Sequence, residues 1–314
     1  MGTDPGEAIV VGVDGSDASL SVLRWAVGEA ALRHRPLRVV LAFVRPVEVV
    51  GYGFTPTMWP EGAARADADR ALSDFVAAAE HQAPDLRVSG AVVDGSPATV
   101  LIGESASAAL LVVGARRTGI PAGLRLGSVS DQVATHARCP VVVVAVDHDP
   151  VLAARRPVVV GVDGSESANL AACFAFDEAE RRNVGLVAVR AWTPPGRPWR
   201  SDVRPLVLDV AELETAERGL LVTDVDRWRS RYPAVRVEHR LVADQPARAL
   251  LAVARQAQLL VVGSRGLSGF RGLLLGSVGR QVLHHARCPI MVVHPHHHLA
   301  APRHGRHLEE LGLR

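Results

Sequence analysis

Two aspartates, Asp14 and Asp163, each stand in a Val-Gly-Val-Asp-Gly-Ser phrase, Val11 to Ser16 and Val160 to Ser165. A carboxylate at such a turn either caps its own backbone or accepts hydrogen bonds from a ligand. Further along lies Gly263-Ser264-Arg265-Gly266, then nine residues, then Gly276-Ser277-Val278. Glycines at 263 and 266 allow backbone N–H groups to approach phosphate oxygens with no Cβ in the way. Gly276-Ser277 opens a helix whose unpaired N–H groups and dipole favour an anion, with the Ser277 hydroxyl as another donor. The first half carries a departure from this pattern: Gly114-Ala115-Arg116-Arg117, nine residues, Gly127-Ser128. Arg117 stands where the second glycine belongs, so weakened or altered phosphate binding is expected there. Arginine is also able to bind phosphate directly. The 35 basic residues are all arginine. Without lysine, a Walker-type phosphate loop and Schiff-base chemistry are both excluded.

These residues recur at a constant interval. Asp14 and Asp163, Gly114 and Gly263, Gly127 and Gly276, and Cys139 and Cys288 are each 149 positions apart. The chain is a tandem duplication of two whole domains. Each half reads as strands and helices in alternation. In the first, Ile9 to Val13, Leu37 to Val44, Arg87 to Val93, Ala109 to Val113 and Val141 to Val146 have strand character. Helical patterns run through Leu20, Leu23, Val27 and Ala31, then over Ala63 to Ala79, Pro97 to Ala106 and Ser128 to His136. Ser16 or Asp17 is the expected cap of the first helix. The second half repeats this, with strands near Val158, Leu186, Val235, Leu259 and Ile290. Apolar strands without alternation, separated by amphipathic helices, predict an α/β fold of two doubly wound five-stranded parallel domains, 1–148 and 155–295. In such sheets ligands bind beyond the carboxyl ends of the strands, where both motifs fall. Residues 296–314 are expected to be a poorly ordered tail, its histidines a weaker candidate for metal.

At 314 residues with 48% hydrophobic and 22% charged content, the chain has enough apolar side chain for two cores. A net charge of +2 signals no strong attraction to nucleic acid or membrane. No signal-like or membrane-length apolar run is visible, which makes the cytoplasm the expected location. Cys139 and Cys288 each precede an apolar strand and read as small buried hydrophobes. His284-His285 at a helix end are expected to interact with its dipole.

Taken together, Val-Asp-Gly-Ser, Gly-x2-Gly-x9-Gly-Ser and the repeated Ala-Arg-Cys-Pro (Ala137 to Pro140, Ala286 to Pro289) resemble the universal stress protein family. The likeness is to the tandem two-domain form common in actinobacteria and runs to about His294. It implies an ATP-binding stress-response regulator, with Mg²⁺ as an optional companion of the ATP. The aspartate role carries to Asp163 and, in the first half, Asp14. Main-chain adenine contacts carry to Ala191 and Ala42, and the phosphate contacts to Gly263, Gly266, Gly276 and Ser277, flanked by Val262 and Val278. Gly114, Gly127 and Ser128 are the first-half counterparts. A homodimer and an unidentified protein partner are further implications of the resemblance. No catalytic constellation is evident, and slow ATP hydrolysis stays open. An adenine-nucleotide hydrolase or adenylyl-transfer enzyme, and a nucleotide-independent scaffold, are the competing readings.

Overall fold

The computed structural model describes residues 8–45, 61–115, 127–145, 153–194, 209–267 and 274–295. The chain divides into two units, Met1–His148 and Asp149–Arg314. Among the described residues, the first unit runs β1 (Ala8–Val13), α1 (Ala18–Arg33), β2 (Leu37–Phe43), α2 (Glu61–Gln82), β3 (Val88–Asp94), α3 (Pro97–Glu104), β4 (Ala108–Gly114), α4 (Ser128–His136) and β5 (Val141–Val144). Its strands lie parallel in the order β3-β2-β1-β4-β5. The second unit runs β6 (Val158–Gly161), α5 (Glu166–Arg181), β7 (Leu186–Trp192), α6 (Val210–Arg229), β8 (Val237–Ala243), α7 (Pro246–Ala254), β9 (Leu259–Gly263), α8 (Ser277–His285) and β10 (Ile290–Val293). Its parallel order, β8-β7-β6-β9-β10, repeats the first. Both units are doubly wound α/β domains.

The central strands are buried on both faces, as their unbroken apolar runs require. Ile9 to Val11, Leu110 to Val112 and Val158 to Val160 are each at most 1% exposed. Both opening helices end on a left-handed residue, His34 at φ 52° and Asn183 at φ 51°, which turns the chain back into the next strand. Cys139 and Cys288 are buried as free thiols, and burial pushes both up to about 12. The third, Cys173, is buried and raised likewise. His284 and His285 do sit in the last turn of α8. No described helix is long and apolar enough to cross a membrane.

Candidate nucleotide site

The switch in strand order places β1 and β4 side by side in the first unit, and β6 and β9 in the second, so two loops leave their carboxyl ends next to one another. In the first unit these ends border a cleft of about 620 Å³, lined among others by Asp14, Gly114, Gly127 and Ser128. Three separate stretches of sequence thus share one cavity. Gly15 takes φ +79° and lets the chain reverse after Asp14. The Asp14 Oδ1 atom accepts three hydrogen bonds from its own turn: from the Ser16 N–H at 3.0 Å, the Ser16 hydroxyl at 2.5 Å and the Ser19 hydroxyl at 2.7 Å. Burial works against ionisation, but these donors outweigh it and hold the carboxyl below its usual range. Ser16 is therefore spent on Asp14. The residue opening α1 is Asp17, which makes no side-chain cap, so neither expected cap forms.

The second unit solves the same corner differently. Here Ser165 is the N-cap of α5 and accepts from the Ala168 N–H at 3.3 Å. Asp163 accepts from the Ser165 N–H at 2.9 Å through Oδ1 and from the Leu267 N–H at 3.2 Å through Oδ2. The loop after β9 is thereby tied to the turn after β6. A second tie runs through Ser167, whose hydroxyl donates to the Arg265 carbonyl.

Gly263 and Gly266 are set by close approach rather than by a left-handed backbone, whereas a Cβ on Gly276 would meet only ordinary contacts, the nearest 3.5 Å away. None of them lies in the positive-φ region. A Cβ on Gly266 would sit 2.6 Å from Asp163 Oδ2, and one on Gly263 would sit 2.7 Å from the Ser167 carbonyl carbon. At 266 the absent side chain also makes room for Asp163, a reason additional to the expected phosphate access. Gly276 closes the loop by donating its N–H to the Ser264 carbonyl at 2.7 Å. It is the extended N-cap of α8 and, lacking a side chain, offers no cap of its own. The first intrahelical donor is the Arg280 N–H, onto the Gly276 carbonyl. The N–H groups before it have no intrahelical acceptor, and no acidic side chain stands in the first turn. That end of the helix favours an anion. In α4 the equivalent first turn carries Asp131.

Ala191 lies past the last paired residue of β6, where Gly161 faces Val189. The Val189 carbonyl accepts from the Val162 N–H. Backbone groups alternate sides along a strand, so the N–H and carbonyl of Ala191 point the same way, beyond the end of β6. Ala42 holds the matching place in β2. The Val262 side chain is 3% exposed, so only its main chain is at the site, whereas Val278 is half-buried in the first turn of α8. Arg116 and Arg117 lie outside the described residues, as does the tail from residue 296.

Motif reading passed over Ser19, Ser130 and Ser167, because a serine inside a helix has no motif of its own. Ser130 donates to the Gly114 carbonyl at 2.6 Å and so ties α4 to the end of β4.

Comparison with known proteins agrees with this architecture. The Universal stress protein family profile matches twice, over residues 7–145 and 154–294. Universal stress protein Rv2623 of Mycobacterium tuberculosis is 40% identical over 297 residues, covering 90% of this chain and 95% of the relative. A universal stress protein of Mycolicibacterium smegmatis is 40% identical over 298 residues, covering 91% and 97%. The crystal structure of a universal stress protein from Archaeoglobus fulgidus, 19% identical, matches with a TM-score of 0.66 over 92% of this chain and 97% of that one, a likeness of fold alone. With two profile matches and full-length relatives at this identity, the chain belongs to the universal stress protein family, in tandem form.

Proposed function

We propose that the protein binds ATP at the strand-end site of its second half, and that its first half binds the nucleotide more weakly. Mg²⁺ comes in on the phosphates. The observation that carries this reading is the conjunction around Asp163: a loop in which a Cβ at 263 would meet the Ser167 backbone and one at 266 would crowd the Asp163 carboxylate leads into the uncapped start of α8. The donors there are backbone N–H groups and the Ser277 hydroxyl, a set that suits a phosphate and needs no lysine. Asp163 is the acceptor for ribose hydroxyls, and the main chain of Ala191 is the reader of the adenine edge. In the first half Asp14, Ala42, Gly114, Gly127 and Ser128 take the same parts, with Arg117 in place of a glycine.

On this reading, occupancy changes the geometry of the loop tied to Asp163 and Ser167, and through it the protein's self-association or its hold on a protein partner in the cytoplasm. The first test is to identify the small molecule released when freshly purified protein is denatured, followed by calorimetry with ATP. One tight and one weak site are expected. Absence of any nucleotide binding at millimolar concentration overturns the proposal, and two equivalent sites overturn its asymmetry. Light scattering that returns the mass of a single 33.4 kDa chain at micromolar concentration counts against the dimer.

A further inference from the structure

Behind the turn that carries Asp163 lies a charged cluster that the first half lacks. Position 41 in β2 is leucine and position 75 in α2 is phenylalanine, 8% and 6% exposed. The residues 149 further on are Arg190 in β7 and Asp224 in α6, each 8% exposed. Arg190 Nε donates to Glu217 Oε2 at 2.6 Å, and its Nη1 donates to Asp224 Oδ2 at 3.4 Å. Arg227 Nη2 reaches Asp224 Oδ1 at 3.3 Å. The charged heads face the Asp163–Ser165 turn directly. A Cβ on Gly164, itself at φ +86°, would lie 3.6 Å from Asp224 Oδ2 and 4.0 Å from Arg190 Nη1.

A buried ion pair is a poor source of stability, because desolvation offsets most of the attraction and an apolar pair of similar size does as well. The molecule contains that apolar alternative at Leu41 and Phe75. Burial pushes the Asp224 carboxyl up, against the pull of Arg227 and Arg190, and the charge on Asp163 pushes it in the same direction as burial. The groups therefore sense one another across the turn.

We propose that Arg190 and Asp224 set the electrostatic potential at the second-half nucleotide site and so tune its affinity according to the charge of the ligand. Counting Asp163, the cluster holds two guanidinium groups and three carboxylates. Arg190 offsets the carboxylates next to Asp163, and Asp224 restrains the attraction for polyphosphate. The first half, with Leu41 and Phe75, has no such adjustment at these positions. This inference rests on the nucleotide reading above.

The test is calorimetry on the full chain, with the first-half site weakened by Asp14→Ala, using ATP and cyclic AMP as probes. Arg190→Met should weaken ATP binding about threefold to tenfold, and Asp224→Asn should strengthen it by a similar factor, as expected for one charge acting across a partly screened site. Both shifts should shrink in high salt and be smaller for the singly charged cyclic AMP. The double variant Arg190→Leu with Asp224→Phe, which installs the first-half pair, should return ATP affinity to within about twofold of its parent. It also gives a reading if Arg190→Met fails to fold. Single variants that both weaken ATP and cyclic AMP alike, or that leave both unchanged, assign the cluster to packing and overturn the inference while wild-type binding stands. A wild-type chain that binds neither probe overturns the nucleotide reading itself.

Discussion

The turns after β1 and β6 begin with the same Asp-Gly-Ser and the same left-handed glycine, yet they spend their hydroxyls in different places. In the first half Ser16 and Ser19 both serve Asp14. In the second, Ser165 caps the helix, and the hydroxyl of Ser167 goes to the Arg265 carbonyl across the site. Ser19 corresponds to Ala168, and Ser167 to Ala18. Moving a serine by one position rotates its hydroxyl about 100° around the helix. That rotation redirects the hydroxyl from its own aspartate to the glycine loop after β9. One half thus satisfies its carboxylate locally, beside a cleft. The other uses its carboxylate and a serine to hold the loop that follows β9.

The comparison is broken most severely by Gly266→Arg. Its Cβ would sit 2.6 Å from Asp163 Oδ2, so the loop and the aspartate must move apart. Losing two phosphate-facing N–H bonds at about 1.5–3 kcal/mol each removes most ATP binding at the second site, measurable by calorimetry. Next in size is Gly263→Ala. A Cβ there meets Ser167 backbone at 2.7 Å and 2.8 Å, which cannot rotate away, whereas at Gly114 it meets the Val22 Cγ2 at 2.9 Å, a side chain that is able to move. Thermal or denaturant unfolding should show Gly263→Ala costing about 2–3 kcal/mol and Gly114→Ala about 1 kcal/mol. Equal costs refute the idea that the two loops pack differently.

Arg117→Gly works in the opposite direction and should strengthen the first-half site about tenfold, close to 1.4 kcal/mol. No gain in ATP affinity would identify Arg117 as a phosphate ligand in its own right. The smallest effect belongs to Ser19→Ala, which removes one of the donors holding the Asp14 carboxyl low. The cost should be about 1 kcal/mol at neutral pH. The sign follows from the direction of the shift. A carboxyl lowered by folding stabilises the fold above its unfolded value near 3.9, and that contribution fades as pH falls through the folded value. The variant should therefore lose less stability on acidification than the wild type, and the Asp14 resonance should titrate at higher pH by NMR.

Some of the site was legible before any coordinates. Asp14, Gly114, Gly127 and Ser128 were chosen for their types and spacing, and they line one cleft. The spacing marks Gly266 too, but for only part of the reason, because its neighbour Asp163 comes from the turn after β6, 103 residues earlier. Spacing alone cannot report which atom a missing side chain makes room for. The helix cap expected at Ser16 does not form for a local cause: α1 starts one residue later, at Asp17 with φ −57° and ψ −28°, so the Ser16 oxygen has no free helical N–H to accept from and its hydroxyl donates to Asp14.

The alternation of apolar runs with amphipathic helices determines the strands, the helices and the parallel sheet, since burial on two faces leaves no other use for unbroken valine and leucine. The 149-residue period likewise determines the duplication and the matching of Asp14 with Asp163. Tertiary structure alone decided where the polar groups are spent. Arg190 and Asp224 stand in elements whose sequences read as ordinary strand and helix, and they meet only because α6 packs on β7. Hydrogen bonds and ion pairs act over a few ångströms and in fixed directions, so they are settled by which surfaces the packed fold brings together, and no local pattern in the chain encodes that meeting.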